Sequence, residues 1–290
     1  MTRIGFIGPG IMGGPMIANL VKAGHEVRAL GRSEASRKRI ADAGATEVSS
    51  IADVADGAEI VITMLPDSPD VHAAVLGDGG LAESIAPGTV FIDMSSIKPA
   101  VAVQIAAELG ERGASALDAP VSGGEPAAIE GTLSIMVGGD AATLAAVMPV
   151  LEAMGGTITH VGPAGAGQAT KAANQLIVAA NIQAVAEAIV LLEATGVELD
   201  PALTALSGGL AGSTVLTRKR AAFLSGEFAP GFRAELHQKD LGIVMSTALE
   251  KKLSLPSAAV VSQLMSALVA QGDGGLDHSA LLGLARRLNP

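Results

Sequence analysis

Along the first half of the chain, short apolar runs alternate with longer stretches whose apolar positions recur every three or four residues. The runs at 4–7, 26–30, 59–64, 90–94, 115–118 and 132–137 predict strands. The stretches at 15–22, 35–43, 71–75, 81–85, 100–112 and 141–154 predict helices. Gly24 closes the first helix, Pro66 stops the third predicted strand, and Pro87-Gly88 turns the chain into the fourth. Strands alternating with helices predict an α/β fold with a doubly wound parallel sheet covered on both faces.

Near Pro163-Ala164-Gly165 the pattern changes. Residues 167–195 contain no strong breaker and predict one long helix, followed by helices at 203–207, 215–224, 236–251, 257–271 and 278–288. The expected organisation is an α/β domain over 1–163 and an all-helical domain over 164–290, joined by the long helix. That helix, about 42 Å long at roughly 28 residues, is apolar nearly all round from Leu176 to Leu192. Such a pattern predicts burial. The length exceeds one small core, so a contact with a second subunit, in a homodimer or homotetramer, is expected. Asn181, Gln183 and Glu187 argue against a membrane span.

Gly8-Pro9-Gly10-Ile11-Met12-Gly13 follows the first strand and opens a helix. In that setting G-x-G-x-x-G predicts a Rossmann-type turn: Gly8 for the bend, Gly10 for approach of a pyrophosphate, Gly13 for helix–strand packing, with Ile11 and Met12 between them. The alternative is a glycine turn with no ligand. An NAD site carries a carboxylate at the end of the second strand. Here that corner reads Gly31-Arg32-Ser33. Arg32 can grip a 2′-phosphate and Ser33 can donate to it, with Arg37 and Lys38 adding charge. NADP (NADPH) is therefore expected, with NAD as the alternative if Arg32 only stacks on adenine. Leu65, Pro66 and Ser96 follow later strands at the same edge of the sheet and are expected cofactor neighbours.

Composition narrows the chemistry. The 290 residues include no Cys, Trp or Tyr, and the core must be built from Ala, Val, Leu, Ile and Met. Without Cys there is no thiol nucleophile, Cys-ligated zinc or iron–sulfur centre. The five His are scattered in sequence without metal-ligand spacing, so no metal is expected. A net charge of −10 removes the basic footprint of a nucleic-acid binder and the polybasic patch of a membrane binder. The amino terminus starts a strand at once with no signal-peptide pattern, so a cytoplasmic location is expected.

Asp118-Ala119-Pro120-Val121-Ser122-Gly123-Gly124 offers a hydroxyl and two backbone N–H groups without side-chain cover, either a nest for a carboxylate or an ordinary turn. Lys171 stands one helical turn before Asn174 and Gln175, and one turn after Gln168. The plain alternative is a solvated lysine at a helix start. His237 reads as a surface or packing residue. Asp67, Asp70 and His72 read as a solvated loop.

The Gly-Phe-Ile-Gly-Pro-Gly-Ile-Met-Gly start, the Asp-Ala-Pro-Val-Ser-Gly-Gly run and the lysine helix together resemble the β-hydroxyacid dehydrogenases over almost the whole chain. The resemblance implies that Lys171 is the catalytic residue and that Ser122, Gly123 and Gly124 hold a substrate carboxylate. It also implies that Lys239 reaches the cofactor and Phe232 lies near the substrate. Many relatives have Asn four residues after the lysine; this chain has Gln175 there and Asn174 beside it, so either amide is a candidate substrate contact. The implied reaction is hydride transfer to a small carboxylate-bearing aldehyde, with protonated Lys171 as general acid. The runs at 122–126, 208–216, 230–233 and 277–281 resemble the branch that reduces tartronate semialdehyde to glycerate. The alternatives are a 3-hydroxyisobutyrate dehydrogenase, a broader reductase of short semialdehydes and glyoxylate, or a cofactor-sensing protein without activity.

Overall fold

The computed structural model, which describes residues 1–289, alternates strand and helix as far as Gly162. In order, these are β1 (Arg3–Ile7), α1 (Gly13–Lys22), β2 (Glu26–Leu30), α2 (Glu34–Asp42), β3 (Thr46–Val48), α3 (Ile51–Ala55), β4 (Ile60–Thr63), α4 (Ser68–Leu76) and α5 (Leu81–Ser84). They continue with β5 (Val90–Asp93), α6 (Pro99–Gly110), β6 (Ser115–Asp118), β7 (Val121–Ser122), α7 (Gly124–Glu130), β8 (Leu133–Gly138), α8 (Ala141–Glu152) and β9 (Gly155–Gly162).

The sheet runs β3-β2-β1-β4-β5-β6-β8-β7, with β9 also paired to β8. From β3 to β6 every pairing is parallel. This is the Rossmann order, in which the sequence of strands reverses between β1 and β4 and a ligand site opens at their carboxyl ends. Alternate side chains explain the two covered faces. Ile4, Phe6, Ile60, Ile62 and Ile92 enter one core layer, while Ile7, Val61 and Phe91 enter the other.

The helical part contains α9 (Ala166–Ala194), α10 (Leu199–Ser207), α11 (Thr214–Ser225), α12 (Ala234–Glu250), α13 (Pro256–Ala270) and α14 (Leu281–Leu288). Its core joins Ala179, Ile182, Ala186 and Ile189 of α9 to Phe223, Leu241, Met265 and Leu281. The chain forms two compact units, Met1–Lys171 and a second from Ala172 onward, so the division falls inside α9.

Several expectations are corrected. Strands β3, β7 and β9 and helices α3 and α7 have no counterpart in the predicted pattern, because each is short, glycine-bounded or polar. Helix α9 is long and apolar enough by composition to cross a membrane, yet only 28% of its most apolar window is buried, not the full circumference. Its buried stripe is Ala179, Ile182, Ala186 and Ile189, and Ala173, Ile177, Ala184 and Leu191 remain exposed. Asp67, Asp70 and His72 do not form a loop. Asp67 caps α4 by accepting from Ser68 N at 2.6 Å, and the other two lie within that helix.

Candidate active site

The turn from β1 into α1 is shaped by its three glycines. Gly8 has φ +105°, and a Cβ there would collide with the carbonyl of Met64 and stand 3.1 Å from Leu65 Cδ2. A Cβ on Gly13 would collide with Gly8 O and stand 3.0 Å from the Phe6 ring. Around Gly10, by contrast, nothing lies within 4 Å of the Cβ position. Two glycines thus permit internal packing and the third leaves the open approach that a pyrophosphate requires. Gly10 and Ile11 are exposed and Met12 is half-buried.

The loops after β4 and β5 are tied beside this turn. Leu65 N donates to Ser95 Oγ at 2.9 Å, and Lys98 N donates to Ser68 Oγ at 3.0 Å. Leu65 and Ser96 are half-buried and Pro66 is exposed. These residues and the glycine turn all stand at the carboxyl ends of the adjacent strands β1, β4 and β5.

At the end of β2, Arg32 and Ser33 are exposed. Ser33 caps α2, accepting from Ser36 N at 3.1 Å while its own N–H donates to Ser36 Oγ at 2.9 Å. Arg37 pairs with Glu47 at 3.2 Å and Lys38 with Asp42 at 3.0 Å. Both pairs are solvent-exposed. Arg32 has no ion pair among the described residues.

Ser122 lies opposite Ser134 of β8. Gly123 (φ +138°) and Gly124 (φ +71°) follow in backbone conformations that exclude ordinary side chains, and a Cβ on Gly123 would stand 2.5 Å from Ala127 Cβ. Ser122, Gly123 and Gly124 are all half-buried. In the same unit, Asp118 at the end of β6 holds the first turn of α9, accepting from Gly165 N at 2.7 Å and Gln168 N at 2.8 Å. Three residues on, Lys171 is buried, at 8% exposure. Burial raises the Asp118 carboxyl, opposed by the N–H groups of Gly165, Gln168 and Gly167. Asp93, its neighbour on β5, is pushed up to about 6 by burial, against hydrogen bonds from Ser95 and Thr63.

The second unit gathers Asn174, Gln175, Lys239 and Phe232 around a buried polar string. Gln175 Nε2 donates to Asp240 Oδ2 at 2.5 Å, and Asn174 Nδ2 donates to Gln175 Oε1 at 2.8 Å. Lys239 Nζ pairs with Asp240 Oδ1 at 2.8 Å. Gln175 is thus engaged at both ends of its amide, whereas Asn174 is half-buried. His237 Nε2 lies 3.1 Å from the Gln175 carbonyl, and its Nδ1 lies 2.9 Å from Nδ1 of His278. Because a carbonyl only accepts, His237 Nε2 is the donor to Gln175, and a single proton lies between the two Nδ1 atoms. Phe232 meets both rings edge-on, at 5.7 and 5.4 Å.

Asp277 then fixes the loop that carries Phe232. Its Oδ2 accepts from Lys219 Nζ at 2.8 Å, Gly231 N at 3.1 Å and Phe232 N at 3.0 Å. Burial works to raise the Asp277 carboxyl, but the His278 ring, Lys219 and the hydrogen bonds outweigh it and hold the group low. His278 is pushed down to about 3 by burial and by His237, so it is neutral near pH 7. The histidines are therefore scattered in sequence but not in space. Asp118, Asp240 and the His237–His278 pair were missed as site-building residues, although each lies in a run that contains a named candidate or resembles relatives. Among the described residues, no cluster of three or more His, Cys, Asp or Glu could hold a metal ion.

Sheet order and glycine turn together define a dinucleotide-binding fold. Residues 3–162 match the family model described as the NAD binding domain of 6-phosphogluconate dehydrogenase. Residues 165–285 match that described as NAD-binding of NADP-dependent 3-hydroxyisobutyrate dehydrogenase. The chain is 41% identical over 280 residues to 2-hydroxy-3-oxopropionate reductase of Escherichia coli, covering 97% of this chain and 96% of that protein. It is 39% identical to the NAD-dependent L-serine dehydrogenase of Pseudomonas aeruginosa, covering 97% of each chain. A solved structure of Mycobacterium tuberculosis 3-hydroxyisobutyrate dehydrogenase with L-serine superposes with TM-score 0.92 at 35% identity, covering 99% of each chain. The chain belongs to the β-hydroxyacid dehydrogenase family, whose members are dehydrogenases and reductases of small hydroxy acids and semialdehydes.

Proposed function

We propose that the chain is an NADP-preferring cytoplasmic reductase that converts tartronate semialdehyde to glycerate, with Lys171 as general acid. The observation that carries the reading is the buried Lys171 at the start of α9, in the unit that also presents Ser122, Gly123 and Gly124. The 41% identity to the E. coli reductase supports the substrate choice. The glycine turn fits a dinucleotide, since only Gly10 leaves open space, and Arg32 at the corner fits a 2′-phosphate.

The reduced nicotinamide, when bound, supplies the hydride. The chain's own residues do the rest. The Ser122 hydroxyl and the N–H groups of Gly123 and Gly124 hold the substrate carboxylate. As the carbonyl carbon is reduced, charge grows on its oxygen. The Lys171 ammonium stabilises that charge and delivers a proton from Nζ, so the aldehyde becomes an alcohol. Asn174, held by Gln175, offers its amide to the middle hydroxyl. A site that pairs a hydroxyl rejects a methyl there, because its own polar group is left unpaired.

A panel of tartronate semialdehyde and methylmalonate semialdehyde with NADPH tests this reading, with Lys171→Ala measured alongside. The hydroxyl-bearing substrate should win in kcat/KM by at least about tenfold, and Lys171→Ala should lose about 10²–10⁴-fold in kcat with NADPH binding kept. Equal use of the methyl compound would move the chain to the hydroxyisobutyrate reading, which the likeness to the M. tuberculosis structure favours. A Lys171→Ala enzyme retaining more than about a tenth of the rate would remove the lysine from proton transfer.

A further inference from the structure

The start of α9 is seated on the sheet through one buried carboxylate. Asp118 is 4% exposed, and its two oxygens each accept an N–H from the first turn, Gly165 at 2.7 Å and Gln168 at 2.8 Å. These are donors that a helix leaves unpaired at its amino end. Glycines make the close approach feasible. A Cβ on Gly167 would lie 2.5 Å from Asp118 O and 2.8 Å from its Oδ2, and one on Gly138 would lie 2.5 Å from its Oδ1.

The Gln168 side chain adds a second hold. Its Oε1 accepts from Ile97 N at 3.0 Å and its Nε2 donates to Ser95 O at 2.8 Å. Sliding or rotating α9 about its own axis would break both sets of bonds. Asp93 is the titratable neighbour of Asp118 across the β5–β6 pairing, and Thr63 Oγ1 and Ser95 N already donate to it. Four residues after Asp118 the chain reaches Ser122. Three residues after Gln168 the helix reaches Lys171, a rise of about 4.5 Å.

We propose that Asp118 is a positioning residue for the reaction: one carboxylate fixes the Lys171 ammonium relative to the Ser122–Gly124 cradle. Every group in this device lies in the first unit. It rests on the reading of Lys171 as proton donor. Asp118 touches neither reactant; it acts by allowing the lysine a single approach to the carbonyl oxygen, and small misplacements of a reacting group are costly.

Asp118→Asn keeps the size but sets an amide N–H against the Gln168 or Gly165 N–H. The expected variant unfolds cooperatively, binds NADPH within about threefold of native, keeps its KM for the aldehyde, and loses at least about tenfold in kcat. Its solvent deuterium isotope effect on kcat should exceed the native value, because proton delivery becomes the slow step. A merely structural role would leave that isotope effect unmoved. Native kcat and an unchanged isotope effect in Asp118→Asn, with Lys171→Ala inactive, overturn the proposal. Activity retained by Lys171→Ala shows instead that the proton-donor reading has failed. Should Asp118→Asn not fold, Gly167→Ala keeps the carboxylate and displaces the helix start. A tenfold loss in kcat at native NADPH affinity then supports the proposal, and native kcat overturns it.

Discussion

Arg32 differs from Arg37 and Lys38 in one respect that bears on cofactor choice. Arg37 and Lys38 are each paired with a carboxylate, and Ser33 is bound into a helix cap. The Arg32 guanidinium, with no ion pair among the described residues, meets a 2′-phosphate without first breaking one. Charge-assisted bonds to phosphate contribute roughly 1.5–3 kcal/mol each. Arg32→Ala should therefore weaken NADPH binding by about tenfold or more and leave NADH within about twofold. Fluorescence titration of both reduced dinucleotides checks this. Equal losses would mean that Arg32 packs on adenine and selects nothing.

Helix α9 carries candidate residues of both units, and it also shows what the sequence could not disclose. Its length and start were legible from the absence of breakers, and Lys171, Asn174 and Gln175 from their spacing. Its exposed stripe was not, because Ala, Ile and Leu occur on every face and periodicity has no contrast to report. Strands β1, β2, β4, β5, β6 and β8 were legible from their apolar runs, while the three-residue β3 and two-residue β7 offer too few positions for any period to appear. Contacts between distant residues, Gln168 with Ile97 or His278 with His237, leave no local signal at all. The exposed Ile177 and Leu191, at 59% and 65%, fit a contact with a second copy of the chain. An Ile177→Glu, Leu191→Glu variant should keep its cooperative melting and run as a smaller species in multi-angle light scattering. A native mass for that variant would show that Ile177 and Leu191 hold no second copy.

At the scale of the whole molecule, two buried groups make opposed contributions to stability with pH. Asp93, in the first unit, is raised to about 6. A raised carboxyl favours the neutral folded form, so its contribution is complete below the unfolded value near 3.8 and is lost as pH rises through about 6. That amounts to something on the order of 3 kcal/mol in full. His278, in the second unit, is lowered to about 3. Its contribution is complete above the unfolded value of 6.5 and is lost as pH falls toward 3. Between about pH 4 and 6 the two slopes, each at most about 1.4 kcal/mol per pH unit, run against each other and flatten the native profile. Variants separate them. Asp93→Asn, whose oxygen still accepts from Thr63 and Ser95, should gain relative to native as pH rises from 4 to 6 and level off above 7. His278→Gln, whose amide can donate to or accept from His237, should gain relative to native as pH falls below 6.5. Urea denaturation at half-unit pH steps measures both differences. Profiles parallel to native would show that Asp93 titrates like an exposed carboxyl or that His278 is not held neutral, each variant deciding its own group.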